Sequence, residues 1–181
     1  MEKNVAYIAL FAALIAVLGL VPQITLAVGV PITAQSLGVM LCGTVLGAKR
    51  GALAVLLFLL LVAMGLPLLA GGRGGLGAFM LPSSGFLIGF PVAAFVTGLI
   101  VEKWRGPSLT IVAGVASVIG GIVVLYVFGV AGLAFALGKT PLEAAALVMV
   151  FIPGDLIKAV LAGLITAALA KARPESVLSR A

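Results

Sequence analysis

The chain has 181 residues, of which 64% are hydrophobic and 9% charged, and its mean hydropathy is +1.39. Charged residues make up about a quarter of an ordinary soluble domain, so this composition excludes one and places the chain in a membrane. A hydrocarbon core about 30 Å thick takes roughly 20 residues per helical span, so six spans would use about 120 residues and leave no room for an extramembrane catalytic or nucleotide-binding unit.

Absences narrow the chemistry. There is no histidine, which removes the commonest neutral-pH base and metal ligand. The single cysteine, Cys42, lies in an apolar segment; it can form no internal disulfide or CxxC site and reads as an inert buried thiol. Five acids, Glu2, Glu102, Glu143, Asp155 and Glu175, are too few for multi-carboxylate metal chemistry in a bilayer. The expectation is a protein that is not an enzyme and uses no catalytic residue, metal or cofactor.

The first apolar run, 5–21, follows Lys3 and stops at Pro22. A signal peptide has a similar positive start and short core. No small-x-small site follows before the chain turns apolar again, so the run is read as a span. The second run, 32–48, ends at Lys49 and Arg50, and the third, 51–66, begins at once, which predicts a tight hairpin. Residues 67–85 read as an outer loop because of GGRGG at 71–75 and Pro82-Ser83-Ser84-Gly85. The fourth run, 86–101, closes with Glu102-Lys103-Trp104-Arg105-Gly106-Pro107; the fifth, 109–137, is longer than one span. Beyond Gly138-Lys139-Thr140-Pro141 the chain is apolar to Ala170, interrupted at Pro153-Gly154. Proline is well tolerated in a first helical turn. The sixth span is therefore placed at 151–170 with Asp155 in its first turn, after a re-entrant or surface segment at 143–152. A tail at 171–181 completes the single domain 1–181.

Six spans put Lys3, Lys49, Arg50, Lys103, Arg105, Lys171, Arg173 and Arg180 on one side, Arg73 and Lys139 on the other, and Lys158 inside. That asymmetry predicts both termini in the cytoplasm. The predicted fold is an all-α integral membrane protein, a bundle of six transmembrane helices surrounded by membrane lipid. The basic residues are scattered at span ends and form no stripe, so no nucleic-acid partner is expected.

Asp155 and Lys158 break the apolar pattern. Each costs roughly 2.5 to 3.5 kcal/mol at a helix centre, so such residues face a partner or a polar cavity. Their i,i+3 spacing puts both on one helix face, which fits either a self-neutralising pair that locks two helices or a ligand site. A helix broken at Pro153-Gly154 favours the site, since broken helices at membrane depth line cavities. Arg73 stands among four glycines, where backbone can approach a ligand while one cation is presented. Gly72-Arg73-Gly74-Gly75-Leu76-Gly77 fits GxGxxG in letters but follows a membrane helix, and Gly138-Lys139-Thr140 lacks the first glycine of a phosphate loop, where Leu133 stands. Small residues at helix-packing spacing recur at Ala9 and Ala13, at Gly43 and Gly47, and at Ala159, Gly163 and Ala167. They allow close helix approach in lipid, and Ala9 with Ala13 could equally meet another protein.

These landmarks resemble the BioY family, the biotin-specific substrate-binding (S) components of energy-coupling-factor (ECF) transporters. The matching stretches are Pro31-Ile32-Thr33-Ala34-Gln35-Ser36-Leu37-Gly38, Gly65-Leu66-Pro67-Leu68-Leu69 leading into GGRGG, Leu81-Pro82-Ser83-Ser84-Gly85-Phe86, and Phe151-Ile152-Pro153-Gly154-Asp155-Leu156-Ile157-Lys158-Ala159. The resemblance implies that biotin is taken into a pocket of the outer loops and outer helix halves. Its site would comprise Asp155, Lys158, Arg73, Gly72, Gly74, Gln35, Ser83 and Ser84. A ureido ring offers two N–H donors and one carbonyl; Asp155 would accept from an N–H, and Lys158 would donate to the carbonyl or to the valerate carboxylate. Some members carry asparagine at the centre of the glycine loop and arginine after the Pro-Ser-x-Gly turn, where this chain has Arg73 and Leu87. Arg73 is therefore expected to supply the cation. The family's AxxxA signature maps to Ala9 and Ala13 and would dock a transmembrane coupling (T) component driven by two cytoplasmic ATPase subunits.

Two other classes compete. A self-contained carrier or channel would also use six spans and one charged pair, although a channel should show polar residues along several spans. An intramembrane hydrolase needs two aspartates or a serine with a base, and only Asp155 is available, with no Gly-x-Ser-x-Gly.

Overall fold

A computed structural model describes residues 2–25, 30–106 and 108–180; Pro107 and Ala181, which fall in the expected loop after the fourth span and in the expected tail, lie outside them. The described residues form six helical rods in chain order, some of them segmented. They are α1 Glu2–Leu18, α2 Gln35–Leu46, α3 Ala48–Ala63, α4 Ser84–Lys103, a long rod of α5 Leu109–Val118 and α6 Leu125–Leu137, and a final rod of α7 Pro141–Val148 and α8 Ile152–Ala172. Three stretches, Ser84–Lys103, Leu109–Leu137 and Pro141–Ala172, are long and apolar enough to cross a membrane by themselves.

The second expected span, 32–48, is shortened to the 12 residues of α2, which at 1.5 Å per residue reach about 18 Å. Ahead of α2 lies a strand: β2 Pro31–Ile32 pairs antiparallel with β1 Ile24–Thr25, with Ile24 opposite Ile32. Every α2 residue except Leu37 is buried. An all-round apolar helix wants such a central position, and α1, α3, α4 and α8 surround it. The predicted hairpin is present, since Gly47 alone separates α2 from α3. Its φ of 85° lies where L side chains rarely go.

Small residues set the helix spacing as expected. A methyl group on Gly43 would strike the Ala94 carbonyl of α4, and one on Gly163 would strike the Thr110 carbonyl of α5. The over-long fifth run is accommodated by a π-helical stretch, Ile119–Val124, between α5 and α6. The segment before the last span is a short helix, α7, opened by a capping box of Thr140 and Glu143 and packed on α6 through Leu133, Ala144 and Val148. A single 3-10 turn, Met149–Phe151, separates it from α8, which carries Pro153 and Asp155 in its first turn as predicted.

The two terminal segments meet at one end of the bundle, where the Tyr7 hydroxyl donates to Ser176 Oγ at 3.3 Å. The 3-10 turn Pro174–Ser176 leads the tail under α2. There Ser179 donates through its amide to the Val45 carbonyl at 3.0 Å and through Oγ to the Thr44 carbonyl at 2.5 Å. Glu102 accepts from the Ala48 amide at 2.9 Å and ties the end of α4 to the hairpin. The glycine-rich loop and the first turn of α8 lie at the opposite end.

Candidate functional site

At that opposite end a cavity, partly open to solvent, lies between the β-ribbon, α2, the glycine-rich loop, α4, α6 and α8. Ile32, Leu69, Phe86, Leu87, Phe90 and Phe151 supply apolar walls, and Thr33, Gln35, Ser36, Arg73, Ser83, Asp155 and Lys158 supply polar groups.

The polar floor is a hydrogen-bonded network. Lys158 Nζ donates to Asp155 Oδ1 at 2.8 Å, to Ser36 Oγ at 2.9 Å and to the Thr33 carbonyl at 2.7 Å. These use all three ammonium protons. Ser36 Oγ in turn donates to Asp155 Oδ1 at 3.3 Å, and the Tyr126 hydroxyl donates to Asp155 Oδ2 at 2.7 Å. Both readings of the i,i+3 pair therefore describe the same atoms: it joins α8 to α2, and it faces a cavity. Lys158 reaches a ligand only by giving up one of its present acceptors.

Arg73 lines the same cavity from the loop. Leu69 and Arg73 face each other in a β-bridge, with the Leu69 amide donating to the Arg73 carbonyl at 3.0 Å. The side chain is aimed by its Nε, which donates to the Ala70 carbonyl at 3.0 Å. Among the described residues the only ion pair is that of Lys158 with Asp155, so Arg73 has no described acidic partner. Partial burial without such a partner pulls its guanidinium below its ordinary pKa.

The other expected site residues divide. Gln35 and Ser83 line the cavity, whereas Gly72, Gly74 and Ser84 do not. Gln35 spends its side chain on backbone: Nε2 donates to the Ile15 carbonyl at 3.1 Å and to the Leu68 carbonyl at 3.0 Å, and Oε1 accepts from the Ala70 amide at 3.0 Å. It clamps the loop to α1 and α2. The glycines serve the turn as well. Gly71, Gly72 and Gly75 have φ of 78°, 69° and 79°, and a side chain at Gly74 would strike the Leu66 carbonyl. Leu87 is a buried wall of the cavity.

Sequence reasoning missed Ser36, Tyr126 and the Thr33 carbonyl. Ser36 was visible as a polar residue beside Gln35 at the head of an apolar helix. Tyr126, one of two tyrosines, lies deep in the fifth run with no local marker.

On the side of the bundle away from the cavity, Ala9 and Ala13 lie on the exposed face of α1. Ala9 lines an apolar groove with Leu53, Leu56 and Leu60 of α3 and Ile88 of α4.

Comparison with known proteins places this architecture. The BioY family model matches residues 2–175. A protein of Rhodobacter capsulatus named "Biotin transporter BioY" is 54% identical over 189 aligned residues, covering 99% of this chain and 100% of that protein. One of the same name from Rhizobium etli is 53% identical over 90% of each chain. A crystal structure described as the S-component for biotin from an ECF-type ABC transporter superposes with a TM-score of 0.87 at 33% identity, covering 94% of this chain and 92% of that one. This chain shares its overall fold with that S-component, and it belongs to the BioY family.

Proposed function

We propose that this chain binds biotin and serves in its uptake as the substrate-specific component of an ECF-type transporter. The observation that carries the reading is the charge of the cavity. Asp155 and Lys158 neutralise each other at 2.8 Å, and Arg73 adds one cation without a described acidic partner. The residues between the described parts of the ribbon, Leu26, Ala27, Val28 and Gly29, carry no charge. A net charge of +1 suits a monoanion such as biotin, whose valerate carboxylate would meet Arg73 while its ureido ring meets Asp155. The apolar walls suit the bicyclic ring and the alkyl chain between them.

The chain lies in the cytoplasmic membrane of a prokaryote with both termini inside. Supporting this, Lys49, Arg50, Lys103, Arg105, Lys171, Arg173 and Arg180 sit on the segments gathered at the end that carries both termini, and basic residues mark the cytoplasmic face. Energy comes from two cytoplasmic ATPase subunits through a T component that docks on α1 at Ala9 and Ala13. Small residues on an exposed helix face permit a partner helix to approach closely. Site roles in this reading fall to Asp155, Lys158 and Arg73 directly, with Ser83 as a further donor and Gln35 as the clamp of the loop. Reconstitution tests the division of labour: biotin binds to the chain alone, and ATP-driven accumulation in vesicles requires the partners. Concentrative uptake by the chain alone would favour a self-contained carrier.

A further inference from the structure

The cavity floor contains one acceptor direction that the protein leaves open. A carboxylate offers about four lone-pair directions. On Asp155, Oδ1 receives both Lys158 Nζ and Ser36 Oγ, while Oδ2 receives only the Tyr126 hydroxyl. Asp155 is 6% exposed and lines the cavity. The terminal torsion of an aspartate is broad and sets no orientation by itself. Hydrogen bonds must therefore hold the plane of this carboxylate, and only Tyr126 holds the oxygen that is still free to accept.

The fold takes specific measures to bring Tyr126 there. The π-helical stretch Ile119–Val124 ends two residues before it. One extra residue in that turn rotates everything beyond it by about 100° relative to an unbroken α-helix. Tyr126 thus occupies the angular position that the preceding residue would otherwise hold. Gly120 and Gly121 let this stretch pack closely on α4 and α2, since side chains there would strike Thr97 and Ala93 of α4 and Met40 of α2. The ring is then fixed edge-to-face against Phe86 at 6.1 Å, and Phe86 against Phe151 at 6.2 Å. Phe86 and Phe151 are cavity walls, but Tyr126 is not.

We propose that Tyr126 is the positioning residue that orients Asp155 Oδ2 as the acceptor for one ureido N–H of the ligand. This rests on the biotin reading above and adds to it the acceptor atom and the residue that aims it. Tyr126 touches no ligand; it acts through Asp155. Oδ1 is committed to joining α8 and α2, so the two oxygens of one side chain have separate tasks.

The test is equilibrium binding of labelled biotin to the purified full chain in four forms: unmutated, Tyr126→Phe, Asp155→Asn and the double variant. Phenylalanine keeps the ring against Phe86 and removes only the hydroxyl. The expected loss in Tyr126→Phe is about tenfold, and in the Asp155→Asn background the same change costs less than about twofold. An equal loss in both backgrounds, or no loss in the first, overturns the assignment. Should Asp155→Asn bind too weakly to read, Ser36→Ala takes its place. Two supports of one carboxylate removed together then cost more than the product of the single losses, and a simple product overturns the proposal. Failure of the unmutated chain to bind biotin would instead remove the underlying reading.

Discussion

Lys158 Nζ stands 2.8 Å from Asp155 Oδ1 within one turn of α8, and the same ammonium reaches Ser36 Oγ and the Thr33 carbonyl. The pair is thus a structural joint as well as the floor of the cavity. Removing one partner of a buried pair costs about 3–5 kcal/mol, because the other charge is left uncompensated. Lys158→Met alone should lower the melting temperature of the detergent-solubilised protein, and Asp155→Asn with Lys158→Met should recover most of that loss without restoring biotin binding. Recovery of binding in the double variant would show that the charges serve only the joint.

Arg73 should act on one end of the ligand. Losing a hydrogen bond to a charged group costs about 1.5–3 kcal/mol, so Arg73→Ala should weaken biotin about tenfold to hundredfold and leave the affinity for the uncharged biotin amide nearly unchanged. Competition binding with the two ligands checks it. Arg73→Ala without effect, together with Leu87→Ala abolishing binding, would refute the role of Arg73.

Gln35 should matter for order more than for contact. Its three bonds to Ile15, Leu68 and Ala70 hold the loop that carries Arg73. Gln35→Met keeps the length of the side chain and strands these backbone groups, each at about 1–3 kcal/mol. Increased proteolysis or hydrogen exchange in residues 68–75 should accompany weaker binding. Weaker binding with an unchanged loop would make Gln35 a direct ligand contact instead.

Ala9→Trp with Ala13→Trp should spare biotin binding and stop ATP-coupled uptake in vesicles containing all components. Both residues lie on the exposed face of α1, away from the cavity. Loss of binding in the purified variant chain would contradict the docking assignment.

The sequence made the membrane bundle, the α2–α3 hairpin and the Asp155–Lys158 face legible, because hydropathy, the Lys49-Arg50 break and i,i+3 spacing act locally. It did not show the β-ribbon, since Ile32 opens an apolar run that reads equally as helix. Gly72 and Gly74 were read as room for a ligand, but positive φ and the Leu66 carbonyl account for them. Tyr126 was illegible for a different reason. Its meeting with Asp155 spans 29 positions and depends on a π-helical turn that local periodicity does not announce.

The central claim is tested most directly by equilibrium binding of labelled biotin to the purified, detergent-solubilised chain without partners, beside Asp155→Asn. Saturable one-to-one binding by the unmutated chain, strongly weakened in the variant, is the predicted result. No saturable binding by the unmutated chain, or equal binding by both, would contradict the account.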